Sequence, residues 1–181
     1  MSVDQSAFKR VMRRWASGVT IVTTRAGREV YGLTVSGFGG ISLEPALVMV
    51  SIGHDQRSHD KIREGGVYAV NILHADQVAL SDRFASRDPE IADRFAGVAC
   101  RTVVSGAPVL DDCLAWFDCR VVAEHVVGDH TLFIGDVLAG DVARQAQPLV
   151  YSNRGYYRLD GLALLETLAP RQISDVSPET R

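Results

Sequence analysis

The stretch Cys113–Leu138, CLAWFDCRVVAEHVVGDHTLFIGDVL, decides the fold class of this 181-residue chain. Cys113, Ala115, Phe117, Cys119, Val121 and Ala123 recur at every second position, between mostly polar or aromatic neighbours. Successive side chains of an extended strand point to opposite faces, so this spacing predicts a long strand with one face buried. Cys113 and Cys119 share that parity and are expected to be buried, unreactive core residues. Gly128-Asp129 marks a turn, and Thr131–Leu138 continues as a second strand.

Upstream, Val19–Thr24 and Val30–Val35 are rich in branched residues and flank a hairpin turn at Ala26-Gly27-Arg28. Leu47–Ile52 is apolar on both faces and is expected to be central, and Val67–Leu73 is a further strand. Downstream, Pro148–Ser152 and Tyr156–Leu159 supply shorter strands. Phe8, Val11, Met12 and Trp15 follow the i, i+3, i+4, i+7 rule of a helix, with Asp4 or Ser6 as its cap and Gly18 as its end. Asp55–Glu64 is polar and reads as a short helix or loop ending at Gly65-Gly66. Val78, Ala79 and Phe84, then Ile91 and Phe95, are spaced for helices around a break at Asp88-Pro89. Six or seven strands against three helices, without strict βα alternation, predict a mainly β antiparallel barrel with peripheral helices rather than a doubly wound sheet. One domain over residues 1–168 is expected, with a loose tail over 169–181.

Composition narrows the function classes. A hydrophobic fraction of 46% supplies enough apolar surface for a packed core. A formal charge of −3 argues against gripping nucleic acid by electrostatics alone. The longest apolar stretch, Ala46–Ile52 with Ser51 inside it, is far short of the roughly 20 residues of a membrane span, and Lys9, Arg10, Arg13 and Arg14 interrupt any export-signal pattern near the N-terminus. The three cysteines form no CxxC pair, and His54, His59, His74, His125 and His130 show no metal-ligand spacing. A soluble cytoplasmic protein is expected.

Four segments could carry chemistry. Gly32–Pro45, GLTVSGFGGISLEP, places hydroxyls at Thr34, Ser36 and Ser42 beside Gly37, Gly39 and Gly40. Glycines let the backbone approach a ligand, and bare N–H groups there can donate to anionic oxygens. It is not GxGxxG and lacks the strand–turn–helix context of a Rossmann or P-loop site, and a strand with a glycine-rich bend accounts for the same residues. Gly128–Gly135 delivers His130 from a turn onto a strand, or is a plain surface turn. Pro148–Arg158 has the aromatic and Arg content of a nucleotide pocket, or of two edge strands. Arg57, Ser58, Lys61, Arg83 and Arg87 would suit a phosphate, or simply solvate exposed helix faces.

Taken in order, these segments resemble one family. Residues 8–159 are similar to the flavin reductase-like proteins, flavin-binding split β-barrel reductases that serve two-component monooxygenases. The resemblance runs through Phe8–Thr24 (FKRVMRRWASGVTIVTT), Gly32–Pro45, Tyr68–Leu73 (YAVNIL), Arg83–Ala85 (RFA), Gly128–Gly135 (GDHTLFIG) and Pro148–Leu159. It implies a split barrel in which Thr34, Val35, Ser36, Gly37, Phe38 and Ser42 wrap the isoalloxazine ring and begin the ribityl and phosphate contacts. Ser51, Ile52, Arg57, Ser58 and His59 resemble the next flavin-contacting segments, and Arg83-Phe84 the pair near the flavin phosphate. His130 matches the histidine beside the nicotinamide, Tyr157 the aromatic of a Gly-x-Tyr signature, and Asn71 also matches but reads as structural. The usual pattern Ser-Phe-Thr-Ser-Val-Ser is here Gly37-Phe38-Gly39-Gly40-Ile41-Ser42, so three hydroxyls are absent.

The implied activity is NAD(P)H-dependent reduction of FMN or FAD, with hydride passing from nicotinamide to flavin and His130 positioning the nicotinamide. NADH and NADPH are left open, as are FMN and FAD. A homodimer and a monooxygenase that receives the reduced flavin are the implied partners. A flavin-binding electron carrier or store on the same barrel is the main alternative, and a pyridoxal-phosphate or haem-handling split barrel a second.

Overall fold

The computed structural model describes residues 3–86 and 93–159. The expected break at Asp88-Pro89, Ile91, Arg87 and the tail over 169–181 lie outside the described residues. In chain order the elements are α1 (Gln5–Met12), β1 (Ser17–Gly18), β2 (Thr20–Ala26), β3 (Glu29–Val35), β4 (Phe38–Ser42), β5 (Leu47–Gly53) and α2 (Arg57–Gly65). They continue as β6 (Val67–Ile72), α3 (Val78–Phe84), β7 (Cys100–Thr102), β8 (Pro108–Leu110), β9 (Ala115–Val127), β10 (His130–Val142), β11 (Val150–Ser152) and β12 (Gly155–Tyr157).

Seven strands form the main sheet in the order β3-β2-β6-β9-β10-β5-β4, every neighbour antiparallel. Its two end strands, β3 and β4, are consecutive in the chain and separated only by Ser36-Gly37. A flat ladder of seven strands would hold its ends many strand spacings apart. Two residues cannot cross that gap, so the sheet curls back on itself into a barrel. Leu33 and Val35 from one end of the ladder accordingly share a buried cluster with Val48, Val50 and Ile52 from the other. Tyr68 lies inside this cluster, with its hydroxyl donating to the Val48 carbonyl at 3.2 Å. Gly135 makes room for it: a Cβ there would lie 2.2 Å from the Tyr68 oxygen.

A second core covers part of the outer face, where Val109, Leu110, Cys113, Trp116, Phe84 and Leu149 pack together. This changes the reading of β9. Trp116 and Asp118 are buried on the face expected to be open, because the β7–β8 segment lies over them, and alternation with exposed residues begins only at Arg120. Asp118 is fully buried and accepts from the backbone N–H groups of Val104 (2.7 Å) and Ser105 (2.8 Å) and from the Ser105 hydroxyl. Asn71 is structural as expected, bonded to the Ile21 carbonyl and the Leu110 N–H.

Three further expectations are corrected. α1 stops at Met12 rather than near Gly18, because Arg14 and Trp15 make i→i+3 bonds to Val11 and Met12 that tighten the last turn, and Gly18 belongs to β1. Asp4 is its cap, accepting from the Ser6 and Ala7 N–H groups, and its pKa is lowered first by the Ser6 side chain and then by those backbone bonds. β5 is not central but lies between β10 and the end strand β4, with inward Val48, Val50 and Ile52 buried and alternate residues half-buried. Phe95 sits in a turn, its N–H bonded to the Asp93 carboxylate, and its ring meets Phe84 edge-on at 5.1 Å. No helix among the described residues is long and apolar enough to cross a membrane.

Because Asp118 is a buried carboxylate holding three donors, Asp118→Ala should destabilise the fold by about 2–4 kcal/mol in urea unfolding. Lys61→Ala, which removes a surface pair with Glu64 and a cation–π contact with Tyr31, should change stability by about 1 kcal/mol or less. Equal effects from the two would mean that Asp118 does not anchor the covering segment.

Candidate functional site

The seam where the ladder closes holds a cavity of about 440 Å³. Leu33–Gly37 form one wall as the chain leaves β3 for β4. Ser51–Gly53, at the end of β5, form the opposite wall, extended by Asp55 and Gln56 of the following turn. Phe84-Ala85 from the end of α3 and His130 from the start of β10 complete it. The Ser51 N–H donates to the Gly37 carbonyl at 2.8 Å, which ties the two walls together. A Cβ at Gly37 would sit 3.0 Å from the Ser51 Cβ, so glycine allows this close approach.

Thr34 donates its hydroxyl to the Ser81 carbonyl at 2.6 Å, which holds α3 against β3 and so places Phe84-Ala85 on the cavity. The Ser36 and Ser51 hydroxyls make no hydrogen bond among the described residues. His130 pairs in register with Gly53, and its Nδ1 lies 2.7 Å from an Asp129 carboxylate oxygen. A carboxylate can only accept, so Nδ1 carries the proton and Nε2 is left as the free nitrogen of the neutral ring. That nitrogen lies 3.6 Å from where a Gly53 Cβ would be. The same hydrogen bond lowers the Asp129 pKa. The His130 side chain is 46% exposed, so the pair orients the ring more than it stabilises the fold.

Thr34, Val35, Ser36, Gly37, Ser51, Ile52, Phe84 and His130 are thus brought together on one cavity. The other candidates lie elsewhere, each for a local reason. Phe38 turns toward the barrel interior, its ring 6.3 Å from Phe117. Ser42 ends the edge strand β4, beyond the irregularity after Gly40. Arg57 is exposed at the start of α2, whereas Ser58 and His59 are buried on its inner side. Arg83 donates to the carbonyls of Asp93 and Ala96 and lines a different cavity, of about 620 Å³, with Gln77, Leu80, Asp111 and Asp112. Tyr157 is half-exposed. Its neighbour Tyr156 points the other way, as strand parity requires, and its hydroxyl meets Ser81 Oγ and Asp82 at 2.9 Å. Tyr156 lines a small cavity of about 190 Å³ that shares Thr34, Ser36 and Ala85 with the main one.

Sequence reasoning singles out neither Gly53, Asp55 and Gln56 nor Leu33, and reaches Ala85 and Tyr156 only as members of longer segments. The polar turn directly after the apolar strand Leu47–Ile52 was the available signal for the first three. Gly39 and Gly40, where two of the usual hydroxyls are absent, face open space and do not line the cavity. No cluster of metal-ligating residues occurs among the described residues.

Comparison with known proteins agrees with this geometry. The family model described as flavin reductase like domain matches residues 12–160. An NADH-dependent flavin reductase from Rhodococcus sp is 42% identical over 133 residues, covering 72% of this chain and 73% of that protein. The reductase component of a 4-hydroxyphenylacetate 3-monooxygenase from Thermus thermophilus is 36% identical over 156 residues, covering 86% of this chain and 97% of that protein. Among solved structures, the flavin reductase PheA2 in its native state aligns with a TM-score of 0.80 at 39% identity, covering 87% of this chain and 99% of that one. With its closed antiparallel ladder, its seam cavity and a family match over most of its length, the chain belongs to the flavin reductase-like domain family.

Proposed function

We propose that the protein is an NAD(P)H-dependent flavin reductase of the cytoplasm that reduces FMN or FAD and supplies the product to a partner monooxygenase. The observation that carries this reading is the seam cavity, which joins the Thr34–Gly37 wall, the Ser51–Gly53 wall and His130. Its volume lies in the range of small-molecule and cofactor sites. Two hydroxyls without a partner among the described residues, and a backbone wall bared by Gly37 and Gly53, fit a planar, polar-edged ring system such as isoalloxazine. Bound flavin would supply the hydride acceptor and reduced nicotinamide the hydride, so the chain needs no strong acid or nucleophile.

The residues contribute orientation. Ser36 and Ser51 would donate to polar edge atoms of the flavin, and the backbone of Ser36–Phe38 would offer N–H groups to developing negative charge at that edge. Phe84 gives an apolar wall. His130, with Nδ1 fixed by Asp129, would present Nε2 to the carboxamide of the nicotinamide. Holding two reactants in a productive geometry lowers a barrier by roughly 7–11 kcal/mol at the upper limit, which suffices to make positioning the chain's main contribution.

A homodimer belongs to the same reading. Phe8, Val11, Met12 and Trp15 of α1 and the segment after it are exposed together, an apolar face that no described residue covers. A second copy would bury it. Sedimentation at micromolar concentration should therefore give the mass of two chains, and a mass of one chain would overturn the dimer.

The activity is tested by following loss of nicotinamide absorbance on aerobic incubation with NADH or NADPH, with and without FMN, FAD or riboflavin. Flavin-dependent turnover is expected; tight yellow flavin without turnover on either nicotinamide would leave an electron carrier instead. His130→Ala should raise the KM for the nicotinamide about tenfold while flavin affinity stays within about twofold. An unchanged KM would remove His130 from this role.

A further inference from the structure

Beneath the rim of the cavity, the Thr131 hydroxyl is held between two imidazoles. Its Oγ1 lies 2.8 Å from His59 Nε2 and 3.1 Å from His54 Nε2. Thr131 is fully buried and His59 is 4% exposed, whereas His54 opens to solvent. The two rings meet edge-on at 5.0 Å, and His59 also packs against the Phe133 ring at 5.5 Å. On its other side, His59 Nδ1 lies 2.9 Å from the Asp60 carboxylate.

The partners dictate the direction of this chain. Beside a carboxylate, His59 Nδ1 must carry the proton, so in the neutral ring Nε2 is an acceptor. Thr131 has one hydroxyl proton and therefore donates it to His59. The hydroxyl oxygen must then accept from His54, whose Nε2 carries its proton. One hydroxyl thus satisfies three elements: the turn after β5 through His54, α2 through His59, and β10 through its own backbone.

The turn so held is part of the cavity. Gly53 pairs with His130 across the ladder, the His54 N–H donates to the Asp129 carbonyl at 3.0 Å, and the Gln56 N–H closes on the Gly53 carbonyl at 3.1 Å. Asp55 lies between those fixed points and Gln56 at the last of them, and both line the cavity. His130 directly precedes Thr131 on β10, so the same strand position that anchors the turn also sets the height of the His130 ring.

We propose that Thr131, clamped between His54 and His59, is a positioning residue that sets the 53–56 turn and His130 relative to each other and so determines how tightly the nicotinamide is held. This rests on the reductase reading above. Thr131 does not line the cavity; it acts through the turn and through His130.

The experiment compares Thr131→Val, which keeps the shape and removes the hydroxyl, with Thr131→Ser, which keeps the hydroxyl, in the full-length protein. Thr131→Val should raise the KM for the nicotinamide about fivefold, with kcat and flavin affinity changed less than about twofold, and Thr131→Ser should restore it. In ¹⁵N-histidine spectra of the wild type, His59 should be the Nδ1–H form and His54 the Nε2–H form, and Thr131→Val should disturb both. Loss of thermal stability in Thr131→Val with an unchanged KM would reduce the clamp to a structural contact and overturn the proposal. So would equal KM values for Thr131→Val and Thr131→Ser, or the opposite tautomers in the wild type. Failure of the reductase reading is separately visible, since the wild-type protein alone would then oxidise neither nicotinamide with any flavin.

Discussion

The closure of the ladder at Ser36-Gly37 is the constraint on which the rest of the structure depends. β3 and β4 are the two ends of a seven-stranded sheet, yet only two residues separate them, so the sheet must complete a barrel. The Ser51 N–H to Gly37 carbonyl bond fixes the depth at which the ends meet. A side chain at residue 37 would press on Ser51, so glycine there lets the two walls meet closely. The cavity is the space left where backbone from both ends converges. The site therefore does not sit on the barrel as an added loop but is a consequence of closing it.

Closure also decides what the core must contain. A curled sheet has an enclosed face, and Tyr68 with Val22, Val50, Val70 and Phe133 fills it. Burying side chains of this size contributes about 1.5–3 kcal/mol each, and the gap opposite Gly135 lets Tyr68 reach two carbonyls rather than leave its hydroxyl unpaired. Burial pushes the Tyr68 pKa far up, so it stays a neutral donor. Outside, α3 lies over the wall by virtue of the Thr34–Ser81 bond and the Phe84 ring buried in the outer core. The cavity walls thus come from packed strands and one docked helix end, which is what a reaction controlled by orientation requires.

The elements were legible where one signal dominated, and obscure where two faces or two partners competed. The Gly27-Arg28 hairpin, the strands on either side of it and the turn at Gly128-Asp129 follow from local residue types alone. β9 misled because Trp116 and Asp118 look like outward residues until the β7–β8 segment is seen to cover them, and only three-dimensional packing reveals that cover. Tyr156 and Tyr157 are chemically indistinguishable in the chain, and only strand register chooses which of them faces inward. His59 and Arg83 carry polar groups suited to a ligand, but the barrel commits the first to Thr131 and the second to the carbonyls of the 93–96 turn. Motif order can mark a segment as belonging to a site, but it cannot say which side of a helix or strand each residue occupies.

The absent hydroxyls at 39 and 40 gain a different meaning from this geometry. Both glycines lie on β4, the last strand of the ladder, and a Cβ on either would meet nothing within 4 Å. Within one chain they do not line the cavity, whose polar lining includes Ser36 and Ser51. Their effect falls on the edge strand itself, where Gly lowers β-propensity and leaves exposed Ile41 and Leu43 without bulky neighbours. An edge of this kind is either covered by another chain or must avoid pairing with one. The absent side chains at 39 and 40 therefore alter the end strand alone, while the lining of the cavity is set by the seam a few residues earlier.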